Sequence, residues 1–129
     1  KAKIKNTMFT DSAAGIALTK SQDTKKADLF LIGADAITKN GVINKVGSGM
    51  FAQIARANEI PVYILTDSLK YSKKKIKIEK RNPEEVWDSK NTKIKNPAFE
   101  LIKKKYITGI ISELGILSHR EFLRKVRKN

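Results

Sequence analysis

Residues 28–49, Asp-Leu-Phe-Leu-Ile-Gly-Ala-Asp-Ala-Ile-Thr-Lys-Asn-Gly-Val-Ile-Asn-Lys-Val-Gly-Ser-Gly, decide how this chain is read. Leu29 to Ile32 form a short apolar run of the kind that makes a fully buried strand. The run stops at Gly33, and the carboxylate of Asp35 follows two residues later. Asn40-Gly41, set between Ala36-Ile37 and Val42-Ile43, predicts a two-residue hairpin, because glycine supplies the positive φ that such a turn needs. Asn44 and Lys45 come next as a polar pair, and Gly47-Ser48-Gly49 opens a predicted helix. A carboxylate, a lysine and a glycine-eased helix start beyond one buried strand end suit an anionic ligand, since the free N–H groups and the dipole at a helix start favour negative charge.

The flanking sequence extends this unit in both directions. Residues 3–9 alternate lysine with apolar side chains and predict a first strand. Asp11 or Ser12 can cap a helix over 13–20 by accepting from the free N–H groups of its first turn. The central strand then covers 28–32. Downstream, 49–58 predicts a helix with Met50, Ile54 and Ala57 on one face, and Pro61 leads into a β-branched run at 62–65. Strand, helix, strand, hairpin, helix, strand is the order of an open α/β sheet with parallel strands joined by crossover helices. Beyond it, 75–79 alternates with period two as a charged edge strand would, and 82–87 reads as a turn into one short helical turn. Asn96-Pro97-Ala98-Phe99 marks another turn, 107–111 reads as a strand, and Ser118 caps a basic helix over 119–128. His119 is expected to be an exposed first-turn residue, and Trp87 and Tyr106 to be packing anchors.

Bulk properties narrow the function. A chain of 129 residues supports one core, and its opening reads as a strand entered mid-fold, the expectation for an excised domain. No apolar run approaches the ~18 residues of a membrane span. With no cysteine and one histidine, these residues hold no thiolate metal site, cysteine nucleophile or histidine cluster. The net charge of +14 has three readings: a nucleic-acid surface, a lysine-rich thermophile surface with no partner implied, or a local site for small anions. Lysine greatly outnumbers arginine, and aromatics, at 7%, do not interleave with the basic runs, which argues against stacking platforms for single strands.

Ligands of open α/β sheets sit beyond the carboxyl ends of the strands. Three such ends carry carboxylates here: Asp11, Asp35 and Asp67. Asp11 and Asp67 read as helix-cap or loop residues. Asp35 has room beside Gly33 and Ala34, and in a partly desolvated pocket its pKa would rise to suit proton transfer. Lys45 lies ahead of the glycines, so this is no Walker A loop, and no Gly-x-Gly-x-x-Gly follows the first strand. A glycine-eased loop with a surface lysine is the plain alternative.

At these residues the chain resembles a known family. Gly33-Ala34-Asp35-Ala36-Ile37, Asn40-Gly41 and Val42-Ile43-Asn44-Lys45-Val46-Gly47 match the pattern shared by translation initiation factor 2B α/β/δ subunits, methylthioribose-1-phosphate isomerase and ribose-1,5-bisphosphate isomerase. The likeness continues through Leu69-Lys70-Tyr71-Ser72, Ile78-Glu79-Lys80-Arg81-Asn82-Pro83-Glu84-Glu85-Val86 and Ile107-Thr108-Gly109-Ile110-Ile111-Ser112-Glu113, covering nearly the whole chain in order. It implies a Rossmann-like C-terminal domain spanning 1–129, an open, mainly parallel sheet with helices on both faces, lacking the family's helical N-terminal domain. The lysine-aromatic-serine run and the Ile-Glu-x-Arg-x-Pro-x-Glu-Val stretch look most like the archaeal ribose-1,5-bisphosphate isomerase branch, which converts an aldose phosphate to a ketose phosphate in nucleotide salvage.

The resemblance assigns Asp35 to the catalytic aspartate, which works with a cysteine. Asn44, Lys45 and Gly47 fall on substrate-binding positions, and Lys70 on a phosphate-binding lysine. It implies a phosphorylated pentose as substrate, no cofactor, self-association as a dimer or higher oligomer, a cytoplasmic location and no membrane partner. The alternative is a non-catalytic regulatory subunit that binds initiation factor 2 and a sugar phosphate or nucleotide. Three departures from the pattern stand out. The partner cysteine lies outside these residues, Gly-Ser-Gly stands where Gly-Thr is usual, and Glu100-Leu101-Ile102 follows Phe99 where the family has Asp and then Thr-Pro-Pro.

Overall fold

In the computed structural model, which describes residues 3–21, 25–88 and 91–128, the elements run in this order. They are α1 (Ala14–Leu18), β1 (Phe30–Ile32), β2 (Ala36–Thr38), β3 (Gly41–Lys45), α2 (Ser48–Ala57), β4 (Val62–Leu65), β5 (Phe99–Lys103), β6 (Gly109–Ser112), β7 (Gly115–Leu117) and α3 (His119–Val126). Short 3₁₀ turns lie at Asp11–Ala13, Ser68–Lys70, Pro83–Glu85 and Lys104–Tyr106.

The apolar runs pair as expected. β1, β4 and β6 lie parallel, and β7 closes the sheet antiparallel, giving the order β1-β4-β6-β7. A hairpin forms where one was expected, with β2 and β3 antiparallel, but its two turn residues are Lys39-Asn40 rather than Asn40-Gly41: Thr38 pairs with Gly41, which is already the first residue of β3. Gly41 has φ +148, and a side chain there would run into the Ile102 carbonyl of β5, so only glycine fits. β5 adds to the other edge of β3 to make a second, three-stranded antiparallel sheet, β2-β3-β5.

Strand alternation decides where the core sits. Val62 and Ile64 of β4 and Ile110 of β6 share one face and are fully buried. Val62 packs with Ala52 and Ala55 of α2, Leu18 of α1 and Ile102 of β5. Ile64 and Ile110 pack with Ile37, Val42 and Phe122 of α3. Burying side chains of this size stabilises by about 1.5–3 kcal/mol each relative to exposure. The opposite face of the four-stranded sheet is bare: Leu31, Leu65 and Ile116 are 50%, 57% and 70% exposed. The α/β class and the mainly parallel sheet are therefore as expected. The described helices all gather on one face, together with the second sheet.

Several local expectations are corrected. Residues 3–10 carry no strand, because no neighbouring strand offers its backbone groups to them. Residues 75–79 likewise form no strand; the ladder there shrinks to one bridge between Lys80 and Pro97, with the Glu79 carbonyl accepting from Ala98 N–H at 3.3 Å. The first α-helix covers only Ala14–Leu18, preceded by a 3₁₀ turn, and neither Asp11 nor Ser12 caps it. Trp87 is 67% exposed and anchors nothing, whereas Tyr106 does pack against the first core cluster. Ser118 caps α3 as predicted, in a full capping box with Glu121. The polar segment over 21–26 lies partly outside the described residues.

Candidate functional site

The carboxyl ends of the parallel strands gather Asp35 after β1, Thr66-Asp67-Ser68 after β4 and Glu113 after β6. Asp35 is exposed. Its N–H donates to the Ile43 carbonyl at 2.9 Å, while Ala36 pairs with the same Ile43. Two residues thus address one, an arrangement that re-aims a side chain at the start of a strand.

The rest of the sequence-selected site is built around β3. Asn44 is half-buried and its Nδ2 donates to Ser48 Oγ at 2.9 Å, tying the strand to the start of α2. Lys45 points the other way, exposed, with its ammonium 5.2 Å from the centre of the Phe99 ring opposite it. Gly47 turns the chain with φ +100 at the N-cap of α2. Lys70 ends the 3₁₀ turn after β4, next to Tyr71, which bridges to Ile37 of β2. The fold thus sets Asp35 at the start of β2 and Asn44 near the end of β3, with Gly47 two residues beyond that strand and Lys70 beside Tyr71. Lys45 lies on the opposite side of its strand from Asn44.

The sequence reading missed Glu100. Directly opposite Asn44 in the ladder, its carboxylate accepts from the N–H groups of Gly47 at 2.6 Å and Gly49 at 3.0 Å. The helix start read as open to an outside anion thus holds an anion supplied from β5. The only signal was a negative residue where the family's Asp stands, and cross-strand register is invisible in one strand's sequence.

Glu113 and Asp67 complete this end of the sheet. The Glu113 oxygens accept from Ser68 N–H at 3.0 and 3.2 Å. Hydrogen bonds from the Ser68 side chain first, and from backbone N–H groups, hold Glu113 below its ordinary 4.5. Asp67 precedes the 3₁₀ turn without capping it, and its Oδ1 is buried with no hydrogen-bond partner.

His119 departs most from expectation. It is 8% exposed, and its Nε2–H donates to the Thr38 carbonyl at 2.8 Å, which pins the hairpin tip to α3. Burial is the main cause holding this imidazole below its ordinary 6.5; Lys104 adds to the effect and the Thr38 carbonyl opposes it. Among the described residues no three carboxylates or histidines converge to hold a metal ion, and no helix is long and apolar enough to cross a membrane.

Comparison with known proteins gives a consistent result. The model of the Initiation factor 2 subunit family matches residues 1–119. Ribose 1,5-bisphosphate isomerase of Methanocaldococcus jannaschii is 37% identical over 121 residues, which are 86% of this chain and 37% of that protein. The 5-deoxyribose 1-phosphate isomerase of Petrotoga mobilis is 37% identical over 98% of this chain and 40% of its own. Among solved structures, the delta subunit of translation initiation factor eIF-2B from A. fulgidus superposes with a TM-score of 0.79 at 28% identity, over 94% of this chain and 38% of that one. The 5-methylthioribose 1-phosphate isomerase from Pyrococcus horikoshii gives 0.76 at 31% identity, over 92% and 36%. The chain spans well under half the length of each.

Proposed function

We propose, from the premise that this chain belongs to the Initiation factor 2 subunit family, that it is the C-terminal domain of a sugar-phosphate aldose–ketose isomerase. In this reading it serves an enzyme of the ribose-1,5-bisphosphate to ribulose-1,5-bisphosphate type. Moving a carbonyl between neighbouring carbons needs a group that takes and returns protons, and cations that hold the phosphates. Asp35 takes the proton-transfer role. Asn44, Gly47 and Lys70 hold the sugar phosphate, while Lys45, on the other side of β3, does not join them, and the unpartnered Asp67 Oδ1 offers an acceptor to a sugar hydroxyl.

The observation that carries this reading is the position of Asp35. It is an exposed carboxylate just beyond a parallel strand's carboxyl end, beside the hairpin that presents Asn44. The partner group for catalysis comes from the remainder of the longer proteins to which this chain is similar, and self-association brings two copies together. Asp35→Asn in the intact protein is expected to lower turnover by about 10²–10⁴-fold while thermal melting stays unchanged. Undiminished activity on ribose-1,5-bisphosphate or methylthioribose-1-phosphate would remove Asp35 from the mechanism.

A second reading has its own support. The superposition on an initiation factor subunit and the helix start filled by Glu100 both suit a regulatory subunit that has lost turnover. Capture of initiation factor 2 by the intact protein, with no isomerase activity, would favour it.

A further inference from the structure

The cations of this chain are not distributed evenly, and few are neutralised from within. Among the described residues one ion pair forms, Arg81 with Glu85. Two clefts, of about 1130 and 690 Å³, are together lined by ten of the chain's 27 lysines and arginines. Helix α3 contributes Arg120, Arg124, Arg127 and Lys128 to the larger. The first three are spaced i, i+4, i+7 and so form one stripe along the helix. Lys104 and Lys105 face them from the turn after β5. The smaller cleft is lined by Lys73, Lys74 and Lys75. Lys39, at the hairpin tip, and Arg127 line both clefts, so the two make one continuous basic surface.

Glu121 is the single acid on this surface, and its carboxylate is engaged by Ser118 in the helix cap. Arg127 is held in place by a 2.9 Å hydrogen bond to Tyr71 Oη, with its guanidinium over the same ring. The larger cleft lies away from the candidate active site. Thr108 and Ser118 on its wall flank the start of β6 and the end of β7, at the amino-terminal edge of the parallel strands.

We propose that this surface binds the phosphate backbone of a nucleic-acid duplex, independently of the sugar-phosphate site. These ten cations face a single acid, Glu121, which lies beside Arg124; they repel one another and hold counterions, and a polyphosphate that displaces those counterions binds with a gain in entropy. The ligand is a duplex rather than a single strand, because Tyr71, the one aromatic on the surface, has its ring under Arg127 and offers no stacking platform. It is not a lipid surface, because the most exposed apolar side chains, Met8, Leu69 and Ile4, lie outside both clefts. Binding runs through phosphates and reads little sequence.

The test is titration of the intact protein with short RNA and DNA duplexes across a salt series. Affinity is expected to fall by about 10³-fold or more between about 50 and about 200 mM salt. The double variant Arg120→Glu/Arg124→Glu is expected to weaken binding at least about tenfold at fixed salt, with melting and isomerase activity unchanged. The same charge change at Lys77→Glu/Lys80→Glu, outside the clefts, is expected to leave binding near its original value. If the α3 variant does not fold, Lys39→Glu/Lys74→Glu examines the same surface from the other cleft. The proposal is overturned by absent or salt-independent binding, by equal loss in the control variant, or by preference for phosphatidylserine vesicles over either duplex. A preference between RNA and DNA tells which duplex is the source of the phosphates.

Discussion

Glu100 shows how one side chain can change the meaning of a site. Gly47-Ser48-Gly49 carries the composition of an anion cradle, and the anion is already present, reaching across from β5. Two charge-assisted hydrogen bonds at a half-buried helix start are worth more than a neutral cap, although partial solvent access discounts them. Glu100→Ala is expected to destabilise the fold by about 1–2 kcal/mol, and Glu100→Gln, which keeps an acceptor, by less. Denaturant unfolding of the two variants measures this. Equal losses would show that shape rather than charge holds the helix start. The contact also sets a condition on the proposed isomerase: a substrate phosphate at Gly47 has to displace this carboxylate or settle beside it.

The α3–hairpin clasp behaves as a pH-sensitive element. In the unfolded chain His119 binds a proton near its ordinary 6.5, whereas in the folded chain burial holds its pKa lower. Between the two values the unfolded state carries more protons, so stability rises with pH across that window. The contribution is fully present above 6.5 and is lost as pH falls through the lowered folded value. Glu113 and Glu121 are also held low, so their contributions are lost separately, below 4.5. The melting temperature is expected to drop in two stages on acidification, and His119→Gln is expected to remove the upper one. A profile identical in wild type and variant would place the upper stage elsewhere.

Which elements were readable from the sequence follows from the same physics. β1, β4 and β6 were evident as continuous apolar runs of strand length, although β1 is not the fully buried strand expected, with Leu29 and Leu31 48% and 50% exposed; the hairpin was evident from its turn-forming residues, although the turn falls one residue earlier, at Lys39-Asn40. Residues 3–9 and 75–79 show the right alternation yet form no strand, since alternation describes a face and not the presence of a partner strand. β5 was missed for the converse reason: Phe-Glu-Leu-Ile-Lys gains its strand identity from the ladder with β3, sixty residues or so away in the chain. Around the candidate site, groups contributed from another strand or helix, Glu100 at the start of α2 and the buried His119, were not legible in the sequence.

For the whole molecule, the uneven sheet is the dominant fact. Ile64→Ala, on the packed face, is expected to cost about 2–5 kcal/mol. Leu65→Ala, one residue along and on the bare face, is expected to cost this chain under about 0.5 kcal/mol. Thermal melts of both variants, in this chain and in the longer protein, measure the difference. A large cost at Leu65 in the longer protein alone would show that the remaining sequence covers that face.

The bare face also makes stability a matter of mass action. A surface bearing Leu31, Leu65 and Ile116 gains free energy from whatever shields it from water, whether a further part of the polypeptide or a second copy. If a second copy shields this face, the melting point of these 129 residues is no constant of their sequence but a quantity that climbs with their own concentration.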